Sequence, residues 1–252
     1  MTSIVYPLPL DNWELFEPDV MRFCETFRTF PPQADCRLIV MCCSRYPNHE
    51  EKRLFANLGV RVQFHRYDGA GYDIGAHQHF AHEAGNDFCV NISTRVYFHR
   101  EGWLKKIMEA RDYFGPGLFG TAASREVGHK VSRDRLRIHF RTHCYGIEAS
   151  ELREYPLLVN TRERGWMLEH GAFDHAEGTF LEWCQRRPQN AIACVFWDGA
   201  WRPEEWFDRP NQFRMGDQSN LLVFDRHTLL FESHDDGMKA FLTNNTYHNH
   251  PE

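Results

Sequence analysis

Two short stretches of this chain place polar, glycine-punctuated residues directly against apolar runs. Asp68, Gly69, Gly71, Asp73 and Gly75 follow one run, and Asn91, Ser93 and Thr94 close a second. Glycines let a backbone come close to a ligand, and carboxylates accept hydrogen bonds from hydroxyl or N–H groups. In an open α/β sheet, ligands bind beyond the carboxyl ends of the strands, so the ordering is that of a built site. Plainer readings stand beside it. Asp68 alone reads as a polar surface turn, and Asp73 with Gly75 also reads as the capped start of a helix.

Histidine supplies a second kind of chemistry. The chain has 15, and His77, His79 and His82 fall on one helical segment, where only positions three or four apart share a face. A metal-dependent hydrolase could use such a cluster, yet the chain has no HExxH, and His82-Glu83-Ala84-Gly85 stops short of it. GxSxG and Walker A loops are also absent from the sequence, which removes the usual marks of a serine hydrolase or a P-loop enzyme.

The elements that must position these residues alternate. Residues 36–43 (CRLIVMCC) form a nearly continuous apolar run, as expected for a strand buried on both faces. A helix pattern over 50–58, a strand over 60–65, a helix over 74–84 and a strand over 87–92 follow. A helix over 102–113 and a strand over 118–122 continue the rhythm, which predicts a mainly parallel sheet with helices on both faces. Beyond it the pattern loosens: a strand over 136–145, helices over 150–155 and 173–186, a strand over 191–197, then an aperiodic stretch over 198–215. Residues 1–34 read as mixed and Pro-punctuated, with a short helix over 20–27.

A chain of 252 residues, 42% hydrophobic and 25% charged, fits one domain spanning 1–252. The 20 Phe and 7 Trp favour a thick core. A formal charge of −6 argues against a nucleic-acid partner, whose backbone is met by a basic face. The eight cysteines include no CxxC pair, and several sit inside apolar runs, where cysteine behaves as a small buried hydrophobe. The first residues lack the basic start and apolar core of a secretion signal, and no run approaches the ~18 apolar residues of a membrane span. The expectation is a reduced, cytoplasmic protein with no membrane span.

Taken in order, GYDIGAHQ, DFCVNISTRVYFHREGWL, GPGLFGT, RTHCYG, WMLEHG and GDQSNLLVFDRH resemble the GT-A type glycosyltransferases of bacteria and viruses. The resemblance covers most of residues 36–232. It implies an α/β, GT-A-like (Rossmann-like) fold: a nucleotide-binding half about 36–122 and an irregular acceptor-side half about 123–235. The implied activity moves a hexosyl or pentosyl unit, with inversion, from a nucleotide-diphosphate sugar to a glycan or glycolipid acceptor, as in polysaccharide biosynthesis.

Residue by residue, Ser44 and Arg45 resemble the edge that meets nucleobase and ribose, and Asp68, Gly71 and Asp73 the nucleotide loop. Gln78, Asn91, Ser93 and Thr94 complete the implied donor set. The family holds Mn²⁺ or Mg²⁺ with Asp-x-Asp, but Asn91-Ile92-Ser93 stands there, and amide and hydroxyl oxygens are weak ligands for a hard cation. Arg95, Arg100 or a later basic residue would then neutralise the leaving diphosphate. An inverting transferase needs a base for the acceptor hydroxyl. Glu169, beside His170, fits the family's place for it, and Asp217 is the second candidate. His143, His170, Trp197, Asp198 and Trp201 would face the acceptor, tryptophan rings stacking on sugars; anchoring a long loop is the plainer reading of Trp197, Trp201 and Trp206. Besides the histidine hydrolase, a non-catalytic carbohydrate- or nucleotide-binding protein is the alternative.

Overall fold

The computed structural model describes residues 1–125, 139–159 and 179–247. Its centre is an eight-stranded sheet in the order β10-β9-β5-β8-β4-β1-β2-β3. The strands are β1 (Thr2–Leu8), β2 (Cys36–Cys43), β3 (Arg61–Tyr67), β4 (Phe88–Ile92), β5 (Gly117–Gly120), β8 (Cys144–Glu148), β9 (Ala191–Phe196) and β10 (Gly199–Trp201). β6 (Ala123–Ser124) and β7 (His139–Phe140) form a separate two-stranded ribbon. β3, β2, β1 and β4 are parallel, as are β5 and β9, while β8 runs antiparallel to both β4 and β5. The sheet is therefore mainly parallel and flanked by helices, the α/β, GT-A-like class expected.

The helices are α1 (Trp13–Thr29), α2 (His49–Leu54), α3 (Tyr72–Glu83), α4 (Trp103–Phe114), α5 (Ala149–Glu154), α6 (Phe180–Gln185), α7 (Arg226–Ser233) and α8 (Asp236–Tyr247). Strand side chains alternate between two apolar layers, as a period of two requires. Leu38, Val40 and Cys42 of β2 join α1 and α4 through Phe23, Phe27, Trp103 and Ile107. Ile39, Met41 and Cys43 face the layer of α3, α5 and α6 through Ile74, Phe80, Leu152 and Phe180. All eight cysteines are buried, and burial is the largest cause that pushes the Cys24, Cys89 and Cys144 thiols up to about 12. Among the described residues no helix is long and apolar enough to cross a membrane.

The start of the chain corrects the sequence reading. Residues 1–34 are not irregular: β1 is a central strand with every residue buried, and α1 runs for 17 residues. β1 escapes the apolar-run criterion because its polar atoms find distant partners. Ser3 Oγ donates to Asp87 at 2.8 Å, and the Tyr6 hydroxyl donates to the Thr94 carbonyl at 3.1 Å. Pro7 is tolerated because β1 pairs with β4 only as far as Val5↔Asn91. Beyond that point the β4 side is a local edge, where a missing N–H breaks no ladder. Two further differences follow: the described part of the expected strand over 136–145, residues 139–145, divides between β7 and the start of β8 with a turn between them, and the long loop over 198–215 contains β10.

Candidate functional site

Strand order locates the crevice before any side chain is considered. The chain winds outward from β1 to β2 to β3, then returns to place β4 on the other side of β1. The switch point lies between the carboxyl ends of β1 and β4, where open α/β sheets take their ligands. Three elements meet there. The Thr94 hydroxyl lies 3.1 Å from the Pro7 carbonyl and 3.3 Å from Asp73 Oδ1. A hydroxyl carries one proton, so Thr94 serves one acceptor at a time. Tyr6, stacked on Phe23 with ring centroids 4.0 Å apart, holds the Thr94 carbonyl from below.

Asp73 stands in the first turn of α3, which begins at Gly71 in the left-handed region (φ 72°) with no side-chain cap. Burial raises the Asp73 carboxyl from 3.8 to about 6, although the Thr94 hydroxyl and N–H and the Arg95 charge pull it down. Such a poised acid in a crevice is a mark of functional sites. Arg95 itself is turned toward α1, with Nε 3.1 Å from Asp19 and its guanidinium over the Phe16 ring.

A second cluster continues along the same sheet edge. Ser93 N–H donates to the His143 carbonyl at 2.8 Å, tying the tip of β4 to the entry of β8. Thr121, just past β5, donates to the Cys144 carbonyl at 3.1 Å and lies 3.4 Å from His143 Nε2. Arg141 N–H donates to the Ala122 carbonyl, and its guanidinium reaches Asp225 at 3.4 Å while lying over the Phe213 ring at 4.0 Å. Asp225 caps α7 in a reciprocal pair with Thr228. Burial would push its carboxyl up, but Arg141, His143, His227 and the Thr228 N–H outweigh this and hold it well below the usual carboxylate range. Thr121, Arg141 and Asp225 escaped the sequence reading. Only the Asp225-x-x-Thr228 spacing, a helix-start signal, was legible.

The structure brings Asp73, Ser93 and Thr94 together and sets the other donor candidates apart. Asn91 is corrected most plainly: it lies within β4, fully buried, with neither amide atom bonded. The residues at the strand tip are Ser93, Thr94 and Arg95. Arg45 is committed to Glu51 through two bonds of 2.7 and 2.6 Å, and Ser44, at φ 65°, bonds across to the β3 turn. Asp68 accepts from Ala70 N–H at 2.9 Å, the surface turn of the plainer reading. Both amide groups of Gln78 are spent on Leu157 and Val159. Gly71 is glycine because that same strap crosses it: an added Cβ would lie 1.6 Å from the Val159 carbonyl oxygen.

On the acceptor side, each described tryptophan discussed above has its N–H engaged within the protein. Trp197 donates to His99, Trp201 to Asp198, and Trp206 to the Trp201 carbonyl. Asp217 is exposed, accepts from Ser219 N–H at 3.0 Å, and is held below its ordinary value first by the Ser219 hydroxyl and then by that N–H. Glu169 and His170 lie outside the described residues. The α3 histidines diverge: His77 is buried between the Ile92 carbonyl and the Tyr145 hydroxyl, and His79 faces Glu83. Among the described residues no three His, Cys, Asp or Glu side chains come together to hold a metal ion.

No protein-family model matches the chain, and no curated protein matches it. Solved structures do. One is a protein assigned as a glucose-1-phosphate thymidylyltransferase from Bacillus anthracis, in complex with a sucrose, at 11% identity and a TM-score of 0.51, covering 95% of this chain and 98% of that one. Others are the galactosyltransferase LgtC with donor and acceptor sugar analogs (12% identity, TM-score 0.47, 72% and 69% covered) and mouse xyloside xylosyltransferase 1 (8%, 0.44, 75% and 82%). The first likeness spans nearly the whole of both chains and, with the strand order found here, shows the fold: it is of the GT-A type.

Proposed function

We propose that this protein is a glycosyltransferase that takes a nucleotide-diphosphate sugar at the carboxyl ends of β1 and β4 and passes the sugar to a glycan or glycolipid acceptor. The observation that carries the reading is the junction of Asp73, Thr94 and Pro7 at the topological switch point. A half-buried acid there suits a ribose hydroxyl or a base N–H, and the α3 N-terminus adds partial positive charge for an anionic donor. The donor half is built on β1 to β4, and the acceptor approaches from the side of residues 123–235. A hexosyl or pentosyl unit fits the proposal equally well, and the reaction belongs to the cytoplasm.

In the proposed inverting step the acceptor oxygen attacks the anomeric carbon, the bond from that carbon to the diphosphate oxygen breaks, and the diphosphate leaves with the electron pair. The acceptor proton passes to a carboxylate, which we assign to Glu169 from the sequence. The described residues do not fit a Mn²⁺ or Mg²⁺ cage at the β4 tip: Ser93, Thr94 and Arg95 offer hydroxyls and a cation where a hard cation wants carboxylates. Among the described residues the carboxylates bonded to that tip are Asp73, on Thr94, and Asp19, on Arg95.

Thermal shift against a panel of nucleotides and nucleotide sugars is the direct test. The protein is expected to be stabilised by a nucleoside diphosphate, with the shift retained in part in EDTA. No shift with any nucleotide at millimolar concentration removes the proposal, and a shift abolished by EDTA and restored by Mn²⁺ removes its metal clause. For the base, Glu169→Gln is expected to keep donor affinity and lower turnover at least ~10²-fold, while Asp217→Asn, an exposed turn residue, stays near wild type. The reverse pattern would reassign the base to Asp217.

A further inference from the structure

We infer that Arg141 is the residue that binds the phosphoryl oxygens of the ligand. The inference rests on the nucleotide-sugar reading above and adds to it a specific cation, a residue to which the resemblance assigned no role.

The arginines along this half of the molecule differ in how fully they are used. Arg45 is held by Glu51 in two short bonds, Arg95 by Asp19 at 3.1 Å, Arg111 by Glu148 at 2.8 Å, and Arg187 by Glu151 and Glu154 at 2.6 Å each. Arg141 has one long contact, 3.4 Å from Asp225, and its buried Nε–H has no acceptor. A guanidinium carries five N–H donors, and a buried donor without a partner calls for a specific explanation. Asp225 and the Phe213 ring meanwhile fix the plane of the group. A guanidinium held flat by a ring and a carboxylate, with most donors unspent, is shaped for forked hydrogen bonding to an oxyanion.

Position agrees with chemistry. The Arg141 backbone is bonded to Ala122 beyond the end of β5, and His143, two residues on, is bonded to Ser93 at the tip of β4. The group is thus rooted in the same loop cluster as Ser93 and Thr94. Phosphate oxygens there would meet hydroxyls from β4 and a guanidinium from the entry to β8. The side chain is 16% exposed, so it is reachable from outside.

The test is calorimetric titration of wild type, Arg141→Lys and Arg141→Met with uridine, guanosine and thymidine, their diphosphates, and inorganic pyrophosphate, with the exposed Arg186→Met as an arginine control. Arg141→Lys keeps a cation beside Asp225, so it carries the test if Arg141→Met fails to fold by circular dichroism. Expected are a rise in Kd for the preferred diphosphate of at least fivefold in Arg141→Lys and tenfold or more in Arg141→Met. The Kd for the matching nucleoside should change less than twofold, and Arg186→Met should match wild type. A folded Arg141→Lys that binds the diphosphate within twofold of wild type overturns the inference and leaves the nucleotide reading intact. Arg141-dependent binding of pyrophosphate with no nucleoside or nucleotide preference overturns that reading and leaves the inference. A wild type that binds neither overturns both.

Discussion

Asp73→Asn is expected to make the protein more stable at pH 8 and, at the same time, a poorer binder of nucleotide by tenfold or more. Burial is the leading cause of the raised Asp73 carboxyl, which titrates at about 6 in the fold against 3.8 in the unfolded chain. The folded state therefore holds this proton more tightly. The associated stability is fully present below about pH 4 and is lost as pH rises through 6. A displacement of that size corresponds to about 3 kcal/mol, trimmed to about 1–2 kcal/mol by partial solvent access. Asn carries no charge, so the variant should melt about 2–6 °C higher at pH 8 and no higher at pH 4. Scanning calorimetry at both pH values, with nucleotide titrations alongside, reads both effects. A lower melting temperature at pH 8 would mean that the charge is stabilising where it sits, and unchanged affinity would take Asp73 out of the site.

Gly71→Ala is expected to be the most damaging small substitution in the site, at about 3 kcal/mol or more. Two costs combine: φ at +72° is strained for alanine, and the new methyl would stand 1.6 Å from the Val159 carbonyl oxygen, a backbone atom that cannot swing aside. Gly59→Ala is the matched control, with a similar φ of +74° and nothing within 4 Å of its Cβ; it should cost about 1 kcal/mol. Denaturant midpoints compare the two. Because Asp73 lies two residues from Gly71, the first variant should also lose nucleotide binding under conditions where the protein is still folded. Equal midpoints for the two variants would show that the 157–159 strap is not packed on α3 as described.

The parts of this molecule that were legible in the sequence share a property: their meaning is local. β2 and β4 declare themselves by nearly continuous apolar runs (CRLIVMCC, DFCVNI), and α4 by its period. β1 does not, because Ser3 and Tyr6 are satisfied by residues 84 and 88 positions away. Missing it shifted the expected ligand edge from β1 to β2, which is why Ser44 and Arg45 were placed in the donor set. Asp73, Ser93 and Thr94, which the fold brings together, could be picked out as candidates because they adjoin recognisable strands. Arg141 and Asp225 were not, since their pairing also spans 84 residues, and their stretches RTHCYG and GDQSNLLVFDRH do not mark either as a site residue. Asn91 misled for the opposite reason: its place in the sequence is right, but strand alternation points its side chain into the protein.

Among the described residues β8 is the one strand that joins the β3-β2-β1-β4 group to the β5-β9-β10 group. As the chain leaves a ribosome, the first four strands can pair with one another, but β4 keeps an open edge until residues 144–148 arrive. β5 is made before either of its partners, β8 and β9. Long-range pairings of this kind are slow to form, and an open apolar strand edge is adhesive while it waits. The seam that closes the sheet is also the one that bonds Ser93 to His143. The ligand edge is therefore completed by the same event that removes the sticky edge, and a translation pause ahead of β8 would leave a half-sheet suited to capture by a chaperone.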